Sequence, residues 1–158
     1  MSNNNIICPI EFDESLIKHS ASFSVPGKPF GKQRPRVVTR GGFARAYTPK
    51  ETVEYENKVR SSYKRSVERD YKLSGPISAQ IEAIFEVPKS VSKKEKERLL
   101  SEEDYTKKPD CDNIAKSILD ALNEISYEDD SQVCELYVRK KYGIEAKTNV
   151  YLEEIKYY

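Results

Sequence analysis

ISAQIEAIFEV, residues 77–87, alternates Ile77, Ala79, Ile81, Ala83, Phe85 and Val87 with Ser78, Gln80, Glu82 and Glu86. Successive side chains of a strand point to opposite sides of the backbone, so this period of two predicts a strand with one buried face and one wet face. A half-buried strand needs partners beside it and cover on its apolar side, and the flanking sequence must supply both.

Upstream, Thr48-Pro49-Lys50-Glu51 offers an N-cap, a proline at the first helical position and a capping-box glutamate three residues on. Val53, Glu56, Val59, Tyr63 and Val67 follow at three- and four-residue steps, predicting a helix to about Arg69, with Gly75-Pro76 beyond it. Before it, ASFSVPG (21–27) reads as a first strand. Residues 1–20 are polar and aperiodic and read as a leader, loose or docked on the domain.

Downstream, Ser92 with Glu95 caps a short charged helix, KKEKERLL. Ile114, Ile118, Leu122 and Ile125 then form the apolar stripe of an amphipathic helix entered at Asp110. Strands at about 132–142 and 149–157, joined by the turn-rich GIEAKTN, complete the order strand, helix, strand, helix, helix, strand, strand. This predicts an α/β fold: one domain over residues 21–158, a mixed β-sheet with packed helices.

Charge is distributed unevenly. The chain of 158 residues has a net charge of +1, which excludes a uniformly basic nucleic-acid binder. Yet Lys28, Lys32, Arg34, Arg36, Arg40, Arg45 and Lys50 fall in residues 26–50 without one Asp or Glu, in a stretch punctuated by Gly31, Pro35, Gly41 and Gly42. It reads as a loop or irregular hairpin suited to phosphate contact, with Lys32, Arg34 and Arg36 the candidate DNA-binding residues. The carboxylates gather later, at Glu102, Glu103 and Asp104, at Asp110 and Asp112, and at Glu128, Asp129 and Asp130.

Singly, these acids have ordinary uses: Asp110 can cap a helix start, Asp112, Lys116 and Asp120 can form a solvated charge ladder, and 128–130 can be a turn. Together, Asp110, Asp112 and Asp130 beside Lys116 form a hard-oxygen set suited to Mg²⁺, which takes a few carboxylates and keeps positions open for water and phosphate. An EF-hand fails, because counting from Asp110 puts Ala115 where Gly is needed and Ala121 where Glu is needed. Pro109-Asp110 with Glu145-Ala146-Lys147 offers the halves of a restriction-type nuclease signature, with Glu145 and Lys147 in a predicted turn.

Other chemistries lack their residues. The single histidine, His19, falls in the leader, and no G-x-x-x-x-G-K phosphate loop occurs. Cys8, Cys111 and Cys134 are odd in number and lack zinc-ligand spacing, which predicts free thiols and a cytoplasmic location. No signal peptide or membrane span is expected.

Taken in order, Asp110-Cys111-Asp112-Asn113, Lys116, Asp120-Ala121-Leu122 and Asp129-Asp130-Ser131-Gln132-Val133 resemble the RusA family of Holliday junction resolvases. The resemblance spans roughly residues 21–142, including Gly-Lys-Pro…Lys-Gln-Arg-Pro-Arg, and looks like the version in phage and prophage members of Gram-positive bacteria. It implies a RusA-like fold and a homodimeric, Mg²⁺-dependent endonuclease of DNA recombination and repair, with Mn²⁺ a substitute, making paired symmetric nicks in a four-way junction. Asp110, Asp112 and Asp130 take the metal-binding positions, and Lys116 that of the essential lysine. Asn113, Asp120, Asp129 and Gln132 take supporting positions. Pro109 and the charged insert around 92–104 depart from the family's pattern. A noncatalytic protein that binds branched DNA is the alternative.

Overall fold

In chain order the elements are β1 (Ile17–Pro26), β2 (Arg36–Arg40), β3 (Phe43–Tyr47), α1 (Lys50–Ser66), β4 (Ile77–Glu86), α2 (Lys93–Leu100), α3 (Cys111–Leu122), β5 (Val133–Gly143) and β6 (Lys147–Ile155). They come from a computed structural model that describes residues 17–67, 72–101 and 104–155. The leader to residue 16 with Cys8, and Arg69, Glu102, Glu103, Tyr157 and Tyr158, lie outside the described residues; α1 ends at Ser66, with Val67 already extended, short of the predicted end near Arg69.

The predicted central strand is β4, inside a four-stranded sheet of order β1-β6-β4-β5. β6 pairs antiparallel with both β1 and β4, whereas β4 and β5 run parallel. A parallel pair needs a long crossover, and residues 87–132 provide it, carrying α2 and α3. The sheet is therefore mixed, and the single α/β domain read from the sequence is the architecture found.

One face of the sheet holds the core. Ile77, Ala79, Ile81, Ala83 and Phe85 of β4 lie with Phe23 and Val25 of β1 and Val150 and Leu152 of β6, under Val59 and Tyr63 of α1 and Ile114, Ile118 and Leu122 of α3. Burial of this apolar surface is the main force holding α1 and α3 to the sheet.

Four local expectations need correction. The polar face of β4 is buried, not wet: Ser78, Gln80 and Glu82 are covered because strands flank β4 on both sides and their long side chains lie across it. Glu82, for example, meets Lys141 of β5 at 3.0 Å and accepts from Asn149 of β6 at 3.2 Å. Second, α1 is rotated from the predicted stripe, burying Thr52, Tyr55, Val59, Ser62 and Tyr63 and exposing Val53. Third, Thr48 does not cap α1; Pro49, with ψ of 141°, stays extended and becomes the N-cap residue, without a side-chain cap bond. Fourth, β1 starts at Ile17, which puts His19 in a strand.

Other expectations hold. Ser92 accepts from the Glu95 N–H at 3.2 Å and caps α2, Cys111 and Cys134 are free thiols, and the basic segment contains the hairpin β2–β3. Among the described residues no helix is long and apolar enough to cross a membrane.

Candidate active site

Helix α3 carries the site. Its apolar stripe is pinned in the core, so the opposite flank must present Asp112, Lys116 and Asp120, each one turn from the next. Asp112 and Lys116 are exposed, and Asp120 is half-buried. Asp110 stands at the N-cap with extended backbone, φ −74° and ψ 153°, yet its carboxylate makes no cap bond. It accepts instead from the Lys108 ammonium at 2.6 Å. The sequence expectation that Asp110 caps the helix is thus corrected: the backbone has cap geometry, and the carboxylate is directed elsewhere.

The basic segment packs directly on this helix. The Lys32 backbone N–H donates to the Asn113 carbonyl at 2.9 Å, and the Ser117 hydroxyl lies 2.8 Å from the Phe30 carbonyl. Between them Gly31 leaves no room for a side chain: a Cβ there would come within 2.6 Å of Pro109 Cβ and 3.3 Å of Asn113 Cβ. Gly31→Ala should therefore push the loop off the entry of α3, with an overpacking cost of roughly 1 to 3 kcal/mol. Thermal melts check this, and an unchanged melting temperature would mean the loop yields freely. Lys28, Lys32, Lys108, Asp110 and Asn113 line a cavity of about 440 Å³ where loop and helix meet.

Lys32 is not directed to solvent. Its ammonium donates to Asp120 at 2.5 Å and to Glu56 of α1 at 3.0 Å, tying the loop to two helices. Partial burial alone would lower its pKa, but the hydrogen bonds and charges of Asp120 and Glu56 outweigh this and hold it above the usual lysine value. Arg34 and Arg36, beyond this knot, are exposed.

Asp130 opens a single turn of 3-10 helix, Asp130–Gln132, ahead of β5. Asp129 and Gln132 build that turn reciprocally: Asp129 accepts from the Ser131 N–H, and the Gln132 side-chain oxygen accepts from the N–H groups of Glu128 and Asp129 at 3.0 and 3.1 Å. The Gln132 amide also donates to the Gly75 carbonyl at 3.1 Å, anchoring the turn to the body. The bonds from Ser131 hold the Asp129 carboxyl below its ordinary pKa. Beneath, Tyr127 is fully buried and donates to the Leu119 carbonyl at 2.8 Å; burial, then the charges of Asp130, Asp120 and Asp129, push its phenol far up.

Asp130 has a raised pKa, first from burial, then because hydrogen bonding and charge from neighbouring Asp120 favour its protonated form, with Asp129 adding repulsion. The folded protein thus holds that proton more tightly than the unfolded chain, and stability falls as pH rises from about 4 through the raised folded value. Asp130→Asn should accordingly melt above the wild type at pH 7 in chelator. The gain should be under about 1 kcal/mol, since solvent screens a group that is only partly buried, and should vanish near pH 3. Melting curves across pH check this; a lower melting temperature at pH 7 would contradict it.

The acids do not converge. Among the described residues no three His, Cys, Asp or Glu side chains lie close enough to hold one metal ion. The reason is helical: Asp112 and Asp120 are eight residues apart, or about 12 Å along the axis, and Asp130 sits at the Asp120 end. Lys116 lies midway. The donor set is nevertheless all carboxylate, the hard-oxygen chemistry that a divalent cation takes. Sequence reasoning missed the Lys32–Glu56–Asp120 knot and the close approach at Gly31. Glu56 within an apolar stripe was the available signal.

Comparison with known proteins agrees with the motif reading. Residues 26–153 match the family described as Endodeoxyribonuclease RusA. The uncharacterized protein YqaN of Bacillus subtilis (strain 168) is 34% identical over 139 residues, covering 84% of this chain and 95% of that protein. The match takes in the basic loop, α3 and the Asp130 turn together, and on this ground the chain belongs to the RusA endodeoxyribonuclease family.

Proposed function

We propose that the protein hydrolyses phosphodiesters of branched DNA, nicking two opposing strands of a four-way junction symmetrically, in a Mg²⁺-dependent reaction. The observation that carries this reading is the seating of the acid-free basic loop on the acid-bearing helix, through Gly31 against Pro109 and Lys32 against Asn113. Phosphates held by the loop are thereby delivered to the carboxylates of α3. The protein acts as a homodimer, because a two-fold enzyme suits a two-fold junction. It works in the cytoplasm, and residues 21–158 are its nuclease domain.

Asp110 and Asp112 from the entry of α3 and Asp130 from the turn near its far end would hold the metal, and to share one ion they would have to draw closer together than they stand here. Bound there, Mg²⁺ would polarise the phosphodiester and lower the pKa of the attacking water, and Mn²⁺ would substitute. Lys116, one turn from Asp112, offsets negative charge on the phosphoryl oxygens. Arg34 and Arg36 hold flanking phosphates, whereas Lys32 sets the loop in place through Asp120 and Glu56. Asn113 supports the site through its carbonyl bond to the loop, and Asp129 and Gln132 by fixing the Asp130 turn.

Arg34→Ala should weaken binding to all DNA sequences alike and reduce the slope of log K against log salt by about one phosphate's worth. Titrations at several salt concentrations test this, and an unchanged slope counts against phosphate contact.

A second reading, noncatalytic binding of branched DNA, draws on the separation of Asp112 from the Asp120–Asp130 end. The restriction-type reading draws less support: Glu145 and Lys147 line a hollow with Ser62 and Arg65, whereas Asp110 lines the cavity beside Lys28. A labelled four-way junction incubated with Mg²⁺ separates the three. Paired nicks lost in Asp112→Asn and kept in Lys147→Ala support the proposal. Binding without nicks supports the noncatalytic reading, and loss with Lys147→Ala the restriction-type one.

A further inference from the structure

The hairpin β2–β3 stands apart from the four-stranded sheet, and every residue from Arg34 to Thr48 is exposed. It closes through Gly41-Gly42, both with positive φ (61° and 82°), the conformation a two-residue turn between antiparallel strands needs. Its register pairs Arg36 with Tyr47, Val38 with Arg45 and Arg40 with Phe43, alternating with Val37 opposite Ala46 and Thr39 opposite Ala44.

Residues directly opposite in an antiparallel pair share a face. One face of the ribbon therefore carries all three of its arginines and both of its aromatics, and the other carries only Val37, Thr39, Ala44 and Ala46. Phe43 is 82% exposed at the tip and Tyr47 46% exposed at the base. A phenyl ring left in water at a narrow tip contributes nothing to the core, and cations beside it suit an anionic, π-bearing partner.

We propose that this face is a nucleic-acid platform, in which Arg36, Arg40 and Arg45 take backbone phosphates and Phe43 stacks on an unpaired base at the branch point of the DNA. A phenyl ring has no hydrogen-bonding group to read base edges, so it recognises an exposed base face, which a branch or single strand offers and an intact duplex does not. A second copy of the chain is the poorer occupant, since an isologous contact would set three arginines against three. The inference rests on DNA being the substrate, and assigns Phe43 the discrimination of branched from continuous duplex.

The test uses the full-length protein and DNA carrying 2-aminopurine, at the branch point of a four-way junction or within a single strand, with matched duplex, in chelator. Binding by the wild type should quench the probe. Phe43→Ala should abolish the quench and weaken binding to junction and single strand by about 5- to 150-fold, with little change on duplex. Phe43→Trp should restore both, and Val37→Ser on the opposite face should leave both intact.

Unchanged quench and affinity in Phe43→Ala overturn the proposal, as does equal loss in Val37→Ser, which would mark general damage to the hairpin. Dissociation of an oligomer in Phe43→Ala, seen by sedimentation, overturns it in favour of a subunit contact. A Phe43-dependent quench by a protein that leaves junctions uncut in Mg²⁺ sinks the nuclease proposal and leaves this one standing; nicking without that quench does the reverse.

Discussion

Asp112→Asn is expected to lower nicking of a four-way junction by at least about 100-fold while leaving junction binding and the melting temperature in chelator nearly unchanged. The size follows from its assigned role. Groups that only support a metal ligand cost roughly 10- to 100-fold when removed, so a ligand itself lies at or beyond the upper end. The neutrality of the fold follows from location: Asp112 is exposed in the first turn of α3, where exchanging a carboxylate for an amide forfeits a helix-dipole interaction of about 0.3 to 1 kcal/mol. Cleavage assays, binding titrations and melts on one preparation separate these effects. A strongly destabilised Asp112→Asn would make the acid structural.

Ile118→Ala and Leu122→Ala should show the converse, each destabilising by roughly 2 to 5 kcal/mol. Both side chains are fully buried in the cluster joining α3 to β4 and α1, and truncation leaves a cavity the surrounding sheet and helix cannot close. Against a total stability of about 5 to 15 kcal/mol this is a large share, lowering the melting temperature by roughly 4 to 20 °C. Denaturant titration with an unchanged m-value checks it. A loss under about 1 kcal/mol would mean that α3 is not anchored as described.

These two outcomes track what the sequence discloses. Ile114, Ile118 and Leu122 recur at helical spacing because the helix buries one stripe, and Asp112, Lys116 and Asp120 are left on another flank by the same geometry. Ser92 with Glu95 is legible because a cap is a local interaction. Burial of the polar face of β4 is not local: Ser78, Gln80 and Glu82 look solvated until β5 and β6 are set on either side. The register of α1 slips for a related reason. Glu56 sits on the predicted apolar stripe, but its partners Lys32 and Asp120 come from distant segments, and only their meeting explains a charge there.

The candidate site divides in the same way. Its residue types and order are legible, because the motif from Asp110 to Gln132 is nearly continuous. Its shape is not, since the distance between the Asp112 and Asp130 ends is set by the length of α3 and by the turn that Asp129 and Gln132 hold. Gly31 likewise reads as loop punctuation until Pro109 is found against it.

Whether loop and helix form one junction-cutting site is tested most directly by strand-resolved cleavage. A four-way junction labelled in turn on each strand, incubated with wild-type protein and Mg²⁺, should yield two nicks at symmetric positions in opposing strands, with matched linear duplex left intact. Tight binding to the junction with all four strands uncut would contradict the account.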